Sequence, residues 1–300
     1  MAGWLGALAT VALVTSTAAC SGGGSSDDDA DRPEPPTSRS STTTSSPGAT
    51  SSSRPATTTS APAKQDGWWR PTKGLSWQWQ LDGEPIDVSV DAEVFDVDLF
   101  ETPAATIRTL HDRGRKVICY LSAGSWEPYR PDAGDFPASV KGGVVEGWPD
   151  ERWLDIRQVD VLRPLMAKRF DLCKRKGFDA IEPDWLDNHT HDTGFAITGA
   201  DQLRYNRMLA DLAHERGLAI GLKNDLDQAA DLADLYDFAV VEQCAEFDEC
   251  DMLRPFLDRN KPVFHAEYNL ETSEFCATSK RLGLSSIRKK LELDAWRQTC

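Results

Sequence analysis

Asp179-Ala180-Ile181-Glu182-Pro183-Asp184-Trp185 and Phe238-Ala239-Val240-Val241-Glu242-Gln243 both start as apolar strands and end in carboxylates. They lie one strand-helix-strand-helix unit apart, so in a parallel β/α barrel Asp184 and Glu242 stand on the same rim. The carboxyl edge of such a barrel is where the fold keeps its chemistry. Two carboxylates facing one cleft are the minimum equipment for breaking a glycosidic bond, one handling the proton and the other stabilising or attacking the sugar cation. The expectation from these two segments is a sugar-cleaving barrel.

Outward from them, short apolar runs alternate with amphipathic runs, the pattern of βα units closing around a parallel sheet. Strands are expected over 76–81, 94–99, 116–122, 180–184, 219–224, 238–243, 262–268 and 284–288, the eight of a single-domain TIM (β/α)8 barrel. Apolar residues at three-and-four spacing place helices over 102–113, 159–176, 200–216, 226–236, 250–260, 273–282 and 291–299. Lys176-Gly177 and Arg216-Gly217 read as glycine C-caps. No helix is evident over 82–91, which is short and polar. The longest irregular stretch, 122–158, carries Trp126, Tyr129, Trp148 and Trp153. Loops of this length in compact domains are usually functional, so Trp126 is read either as an indole for sugar stacking or as filling for a small core under the loop.

Nearly every strand end contributes a polar group that is costly to bury unpaired. Beside catalytic Asp184 and Glu242, the residues expected to contact sugar hydroxyls or ammonium groups are Asp98, Tyr120, Glu182, Lys223, Asn224, Glu267 and Tyr268. Glu182 shares a strand face with Asp184, as a subsite acid or a tuner of its neighbour's pKa. Lys223 either counterbalances the carboxylates or pairs structurally with Glu182. Asp225 is placed to cap the helix that follows it. His189 and His191, two apart in a polar loop, are read as solvent-facing. No His, Asp or Glu grouping has metal-ligand spacing, and phosphate-binding glycine loops are absent, so neither a metal nor a cofactor is expected.

Residues 1–20 carry an apolar run from Trp4 to Val14 and then Ser16-Thr17-Ala18-Ala19-Cys20, a secretory signal too short to span a membrane. Cys20, followed by Ser21-Gly22-Gly23-Gly24, resembles the lipidated cysteine of a bacterial lipoprotein. Attachment to the outer face of the cell membrane is one expectation and plain secretion the other. Residues 21–66 are Ser, Thr, Pro and Gly with scattered charge, too poor in large apolar groups to fold. As a disordered tether they would reach about 40 Å. The barrel domain is then 67–300, expected to be monomeric.

Setting Cys20 aside, six cysteines remain, an even number in an exported chain and so read as disulfides. Locality favours Cys119 with Cys173, Cys244 with Cys250 and Cys276 with Cys300. The 21–66 tether holds 4 basic and 6 acidic residues, so −13 of the formal net charge of −15 lies in the barrel. That argues against a nucleic-acid partner and would attract a cationic polymer.

Several motifs in order carry a resemblance: Val117-Ile118-Cys119-Tyr120-Leu121-Ser122-Ala123-Gly124-Ser125-Trp126-Glu127, Trp153-Leu154-Asp155-Ile156-Arg157, Gly177-Phe178-Asp179-Ala180-Ile181-Glu182-Pro183-Asp184, Gly221-Leu222-Lys223-Asn224-Asp225 and Val241-Glu242-Gln243-Cys244. Together they are similar to glycoside hydrolase family 114 across essentially the whole of 67–300. The family's characterised activity is endo-α-1,4-polygalactosaminidase. The resemblance implies a TIM-barrel hydrolase with Asp184 and Glu242 as its catalytic pair. It also implies a polysaccharide substrate of α-1,4-linked galactosamine, wholly or partly de-acetylated and therefore cationic. Trp185 departs from the polar residue that the family often carries there. Two other readings stand beside this one: a surface module that binds polysaccharide without cutting it, and a barrel hydrolase acting on another cell-wall or capsular glycan.

Overall fold

The structure, a computed structural model, describes residues 67–300 apart from Glu84. The signal segment, Cys20 and the 21–66 tether lie outside the described residues. Eight parallel strands form one curled sheet, each hydrogen-bonded to the next in chain order. They are Trp77–Gln80 (β1), Val94–Asp98 (β2), Lys116–Ser122 (β3), Ala180–Asp184 (β4), Ala219–Lys223 (β5), Phe238–Glu242 (β6), Val263–Glu267 (β7) and Ser285–Arg288 (β8). All eight expected strands are present.

Near-continuous apolar runs become strands here because both faces are covered. The inner face packs Trp77, Trp79, Ile118, Phe238, Val240 and Phe264 against one another. Gly221 makes room for this: a Cβ there would meet the Phe238 ring at 2.2 Å. Outer-face residues such as Phe95, Val117, Ile181 and Val241 join a larger core with helix residues such as Leu110, Phe170 and Leu209. Helices Ala104–Asp112 (α1), Val159–Lys176 (α2), Gly199–Glu215 (α3) and Thr272–Leu282 match expectation to within two residues at each end. Gly177 at φ 100° ends α2 in the left-handed region, and a reciprocal Thr198–Asp201 capping box starts α3.

Three expectations are corrected. The 226–236 and 250–260 runs each give a 3-10 turn followed by one short helix, Ala229–Leu232 and Arg254–Leu257. In the second, Pro255 has no amide hydrogen to carry a helix from residue 250 through that point, so it sits in the first turn of a new one.

The 291–299 stretch is not a helix. It crosses the seam between β1 and β8, where Leu293 O accepts from the amides of Leu81 and Asp82 at 3.0 and 3.3 Å. Ala295 O accepts from Gln78 Nε2 at 2.7 Å, and Lys289 Nζ donates to Asp294 O and Trp296 O. Backbone carbonyls spent in this way are not available to a helix. The stretch ends as Gln298–Thr299, antiparallel to β8.

The 122–158 segment is also more ordered than a loop, for it contains a three-stranded antiparallel sheet of Ser125–Trp126, Lys141–Val145 and Trp148–Leu154. Disulfides join Cys119 to Cys173, Cys244 to Cys250 and Cys276 to Cys300. No helix among the described residues is long and apolar enough to cross a membrane.

Candidate active site

Side chains two apart on a strand share a face. Tyr120 therefore follows inner Ile118, Asp184 and Glu182 follow inner Ala180, and Lys223 follows Ala219. Glu242 follows Val240 and Tyr268 follows Ala266 in the same way. These residues converge at the carboxyl mouth of the barrel. Asp184, Lys223 and Glu242 are each followed by a residue in the left-handed region: Trp185 at φ 60°, Asn224 at φ 50° and Gln243 at φ 55°. Such positions cost a non-glycine residue about 1–3 kcal/mol and cluster at functional sites. Here they turn the chain sharply off each strand. At Trp185 the turn also aims the amide at Asp184 Oδ1, 2.9 Å away.

Asp184 Oδ1 accepts from Lys223 Nζ at 2.8 Å, and its Oδ2 accepts from the Tyr120 hydroxyl at 2.8 Å. Glu242 Oε2 is also 2.8 Å from Lys223 Nζ. Asn224 Nδ2 approaches the same oxygen at 3.4 Å, and Asn224 Oδ1 accepts the Glu242 amide at 3.1 Å. The Tyr268 hydroxyl donates to Glu242 Oε1. One buried ammonium thus bridges two carboxylates, each of which also accepts a phenol. Burial works against the charge on Lys223, but Asp184, Glu242 and Glu182 outweigh it and hold the ammonium well above its usual value. Burial first, and then the carboxylates beside them, push Tyr120 and Tyr268 upward, so both phenols keep their protons and donate.

One layer deeper lie Glu182 and Asp96, both fully buried. Glu182, expected as a subsite acid or a tuner of its neighbour's pKa, has no exposed surface; burial and the neighbouring Asp96 push its carboxyl well above the usual range. Asp96 was missed in the sequence, although an acid inside the run Val94-Phe95-Asp96-Val97 was the available signal.

Three other expected contacts are engaged elsewhere. Asp98 Oδ1 accepts the amides of Phe100 and Glu101 at 2.7 and 2.9 Å, and its Oδ2 pairs with Arg130 at 2.8 Å. Glu267 points outward because Phe264 and Ala266 point inward; it accepts the Ala245 amide at 2.8 Å and lies 2.8 Å from His265 Nε2. Trp126 donates from Nε1 to Ala133 O at 3.0 Å and takes Lys141 Nζ over its ring at 3.8 Å, so it packs inside the small rim sheet.

Of the two loop histidines, His191 is exposed as expected, with its ring stacked on Trp153, whereas His189 is largely covered and bonds Asp227 at 3.0 Å. Asp225 makes no side-chain cap. Sequence reading also missed Glu151, which accepts from Ser125 Oγ at 2.7 Å and from the Tyr129 hydroxyl at 3.0 Å; burial pushes it up to about 7. Among the described residues, His189, Asp225 and Asp227 bring possible metal-ligating atoms within 4.8 Å of one another. Cys244, Cys250 and His265 also converge, but both sulfurs are spent in a disulfide.

A parallel barrel with two carboxylates closely paired at its carboxyl rim is the equipment of a glycoside hydrolase. The chain belongs to glycoside-hydrolase family GH114, whose family model matches residues 57–300. The crystal structure of Aspergillus fumigatus Ega3 in complex with galactosamine is similar over 77% of this chain and 97% of that one, at 36% identity and a TM-score of 0.71. The glycoside hydrolase domain of PelA from Pseudomonas aeruginosa is similar over 75% of this chain and 98% of its own, at 16% identity and a TM-score of 0.58, a likeness of fold alone. No curated protein matches the sequence.

Proposed function

We propose that this glycosidase cleaves α-1,4 bonds in a cationic, galactosamine-containing polysaccharide, with Glu242 and Asp184 as its catalytic carboxylates. The observation that carries the reading is the Lys223 bridge. Oxygens of Asp184 and Glu242 both lie 2.8 Å from one nitrogen, so they are no further apart than twice that distance. Carboxylates about 5 to 5.5 Å apart suit a covalent, retaining mechanism, whereas a base that must leave room for water needs about 6.5 to 9.5 Å.

The side chain of Glu242 is 25% exposed and that of Asp184 is 12%, which favours Glu242 as the group that exchanges protons with the leaving oxygen and with water. Glu242 takes up a proton from water as substrate enters and delivers it to the glycosidic oxygen, while Asp184 attacks the anomeric carbon and the sugar–oxygen bond breaks. Water then gives its proton to Glu242 and attacks the same carbon, which frees Asp184. Lys223 stays charged throughout, Tyr120 orients the nucleophile and Tyr268 orients the acid. The −13 charge of the barrel concentrates a polycation near the mouth, and the galactosamine bound by Ega3 supports an amino-sugar substrate.

Export, by the 1–20 signal with or without a lipid on Cys20 and with 21–66 as tether, belongs to the same proposal. Three disulfides support an oxidising compartment. The test of mechanism is proton NMR of the first product anomer. Retention gives α reducing ends before mutarotation. Initial β ends would assign Asp184 to activating water instead.

A further inference from the structure

Two buried acids take no part in the steps above. Asp96 on β2 and Glu182 on β4 are fully buried, and no donor among the described residues reaches any of their four carboxyl oxygens. The two carboxyls also bear on each other: after burial, the charge of Asp96 pushes the Glu182 carboxyl well above its usual range. Two such carboxyls can hydrogen-bond to each other only when one of them carries a proton. Both lie on the inner face of the barrel, Asp96 two residues beyond Val94 and Glu182 midway between Ala180 and Asp184. The charged and titratable groups that face them are Lys223 from β5, Asp184 from β4 and, toward Glu182, Tyr268 just past β7. The Lys223 ammonium therefore has two catalytic carboxylates on one side and this acid pair on the other.

Resting on the hydrolase reading above, we propose that Asp96 and Glu182 share one proton beneath Lys223 and act through that ammonium as a positioning pair for Asp184 and Glu242. With the proton in place the pair carries a single negative charge, and Lys223 stays between the catalytic carboxylates. Loss of the proton puts a second buried charge beneath Lys223. The ammonium is then drawn down from the mouth, and Asp184 and Glu242 face each other without their shared cation. The consequence is an alkaline loss of activity that originates in residues which never touch substrate.

Asp96→Asn isolates the effect, because the amide can donate to Glu182 and leaves one negative charge that does not change with pH. Two quantities are measured on the 67–300 domain: kcat/KM on partially de-acetylated α-1,4-galactosaminan against pH, and the part of the infrared carboxylic-acid C=O band that the substitution removes. The parent is expected to show a difference band that persists through neutral pH. Its disappearance at alkaline pH should coincide with a fall in kcat/KM of about tenfold per pH unit. Asp96→Asn should keep neutral-pH kcat/KM within about threefold of the parent and lack that alkaline fall. No difference band, or the same alkaline fall in both proteins, overturns the proposal. If Asp96→Asn fails to fold, Glu182→Gln supplies the same spectral subtraction. A parent that shows the band but cuts no galactosaminan overturns the hydrolase reading and the positioning role with it, while the shared proton stands.

Discussion

Asp184 and Glu242 are joined through a single cation, each with one carboxylate oxygen 2.8 Å from Lys223 Nζ. Two carboxylates this close would repel, and the buried ammonium between them lets both sit at the mouth of the barrel. The side chain of Lys223 is only 4% exposed, so water does little to screen the arrangement.

Removing that ammonium is expected to damage stability and chemistry together. Lys223→Met leaves two carboxylates uncompensated, and breaking a buried pair in this way costs about 3 to 5 kcal/mol. Denaturant titration should show a loss of that size, with kcat/KM down by roughly a hundredfold or more. The exposed pair Arg163–Glu215, at 3.1 Å, is the control: Arg163→Ala should change stability by less than about 1 kcal/mol.

The two phenols separate chemistry from folding. Tyr120→Phe and Tyr268→Phe each delete one donor, to Asp184 and to Glu242 respectively. Each should lower kcat by about tenfold to a hundredfold with a stability cost near 1 kcal/mol. Steady-state kinetics beside thermal unfolding checks this. A change in KM alone would place the phenols in substrate binding.

Asp225 gives the clearest dependence of stability on pH. Burial first, and then Asp187 and Asp227, push its carboxyl up to about 9. A folded-state pKa above the unfolded value means that its favourable contribution is complete below the usual carboxylate range and is lost as pH rises toward about 9. Asp225→Asn should therefore flatten the decline in stability between about pH 4 and 9. Unfolding free energies at several pH values decide it, and parallel slopes for the two proteins would contradict it.

The Cys276–Cys300 disulfide, 24 residues apart in sequence, anchors the segment that crosses the β1–β8 seam. Replacing both cysteines with serine should cost about 3 kcal/mol. Hydrogen exchange should rise first at the amides of Leu81 and Asp82, which bond Leu293 across that seam.

The strands and the meeting of Asp184 with Glu242 at the mouth were legible in the sequence because a barrel strand is apolar on both faces and its carboxyl end stands out as the point where acids begin. Alternation reaches further still: with Phe264 and Ala266 inside, Tyr268 faces the site and Glu267 faces away. Other features lacked a local signal. The 291–299 stretch has helical spacing, yet partners far away in sequence, Gln78 and Leu81 among them, claim its carbonyls. Asp98 looked like a mouth residue until Arg130, from the rim excursion, paired with it. The buried pair of Asp96 and Glu182 needed knowledge that β2 and β4, one strand apart in the sheet, turn these side chains into the same interior.

The most direct test is release of reducing ends from purified, partially de-acetylated α-1,4-galactosaminan by the 67–300 domain, beside Asp184→Asn and Glu242→Gln variants shown to be folded. The account predicts release by the parent and a loss of at least about a thousandfold in each variant. A folded parent that releases nothing, or variants that match it, would contradict the assignment of these two carboxylates and of this substrate.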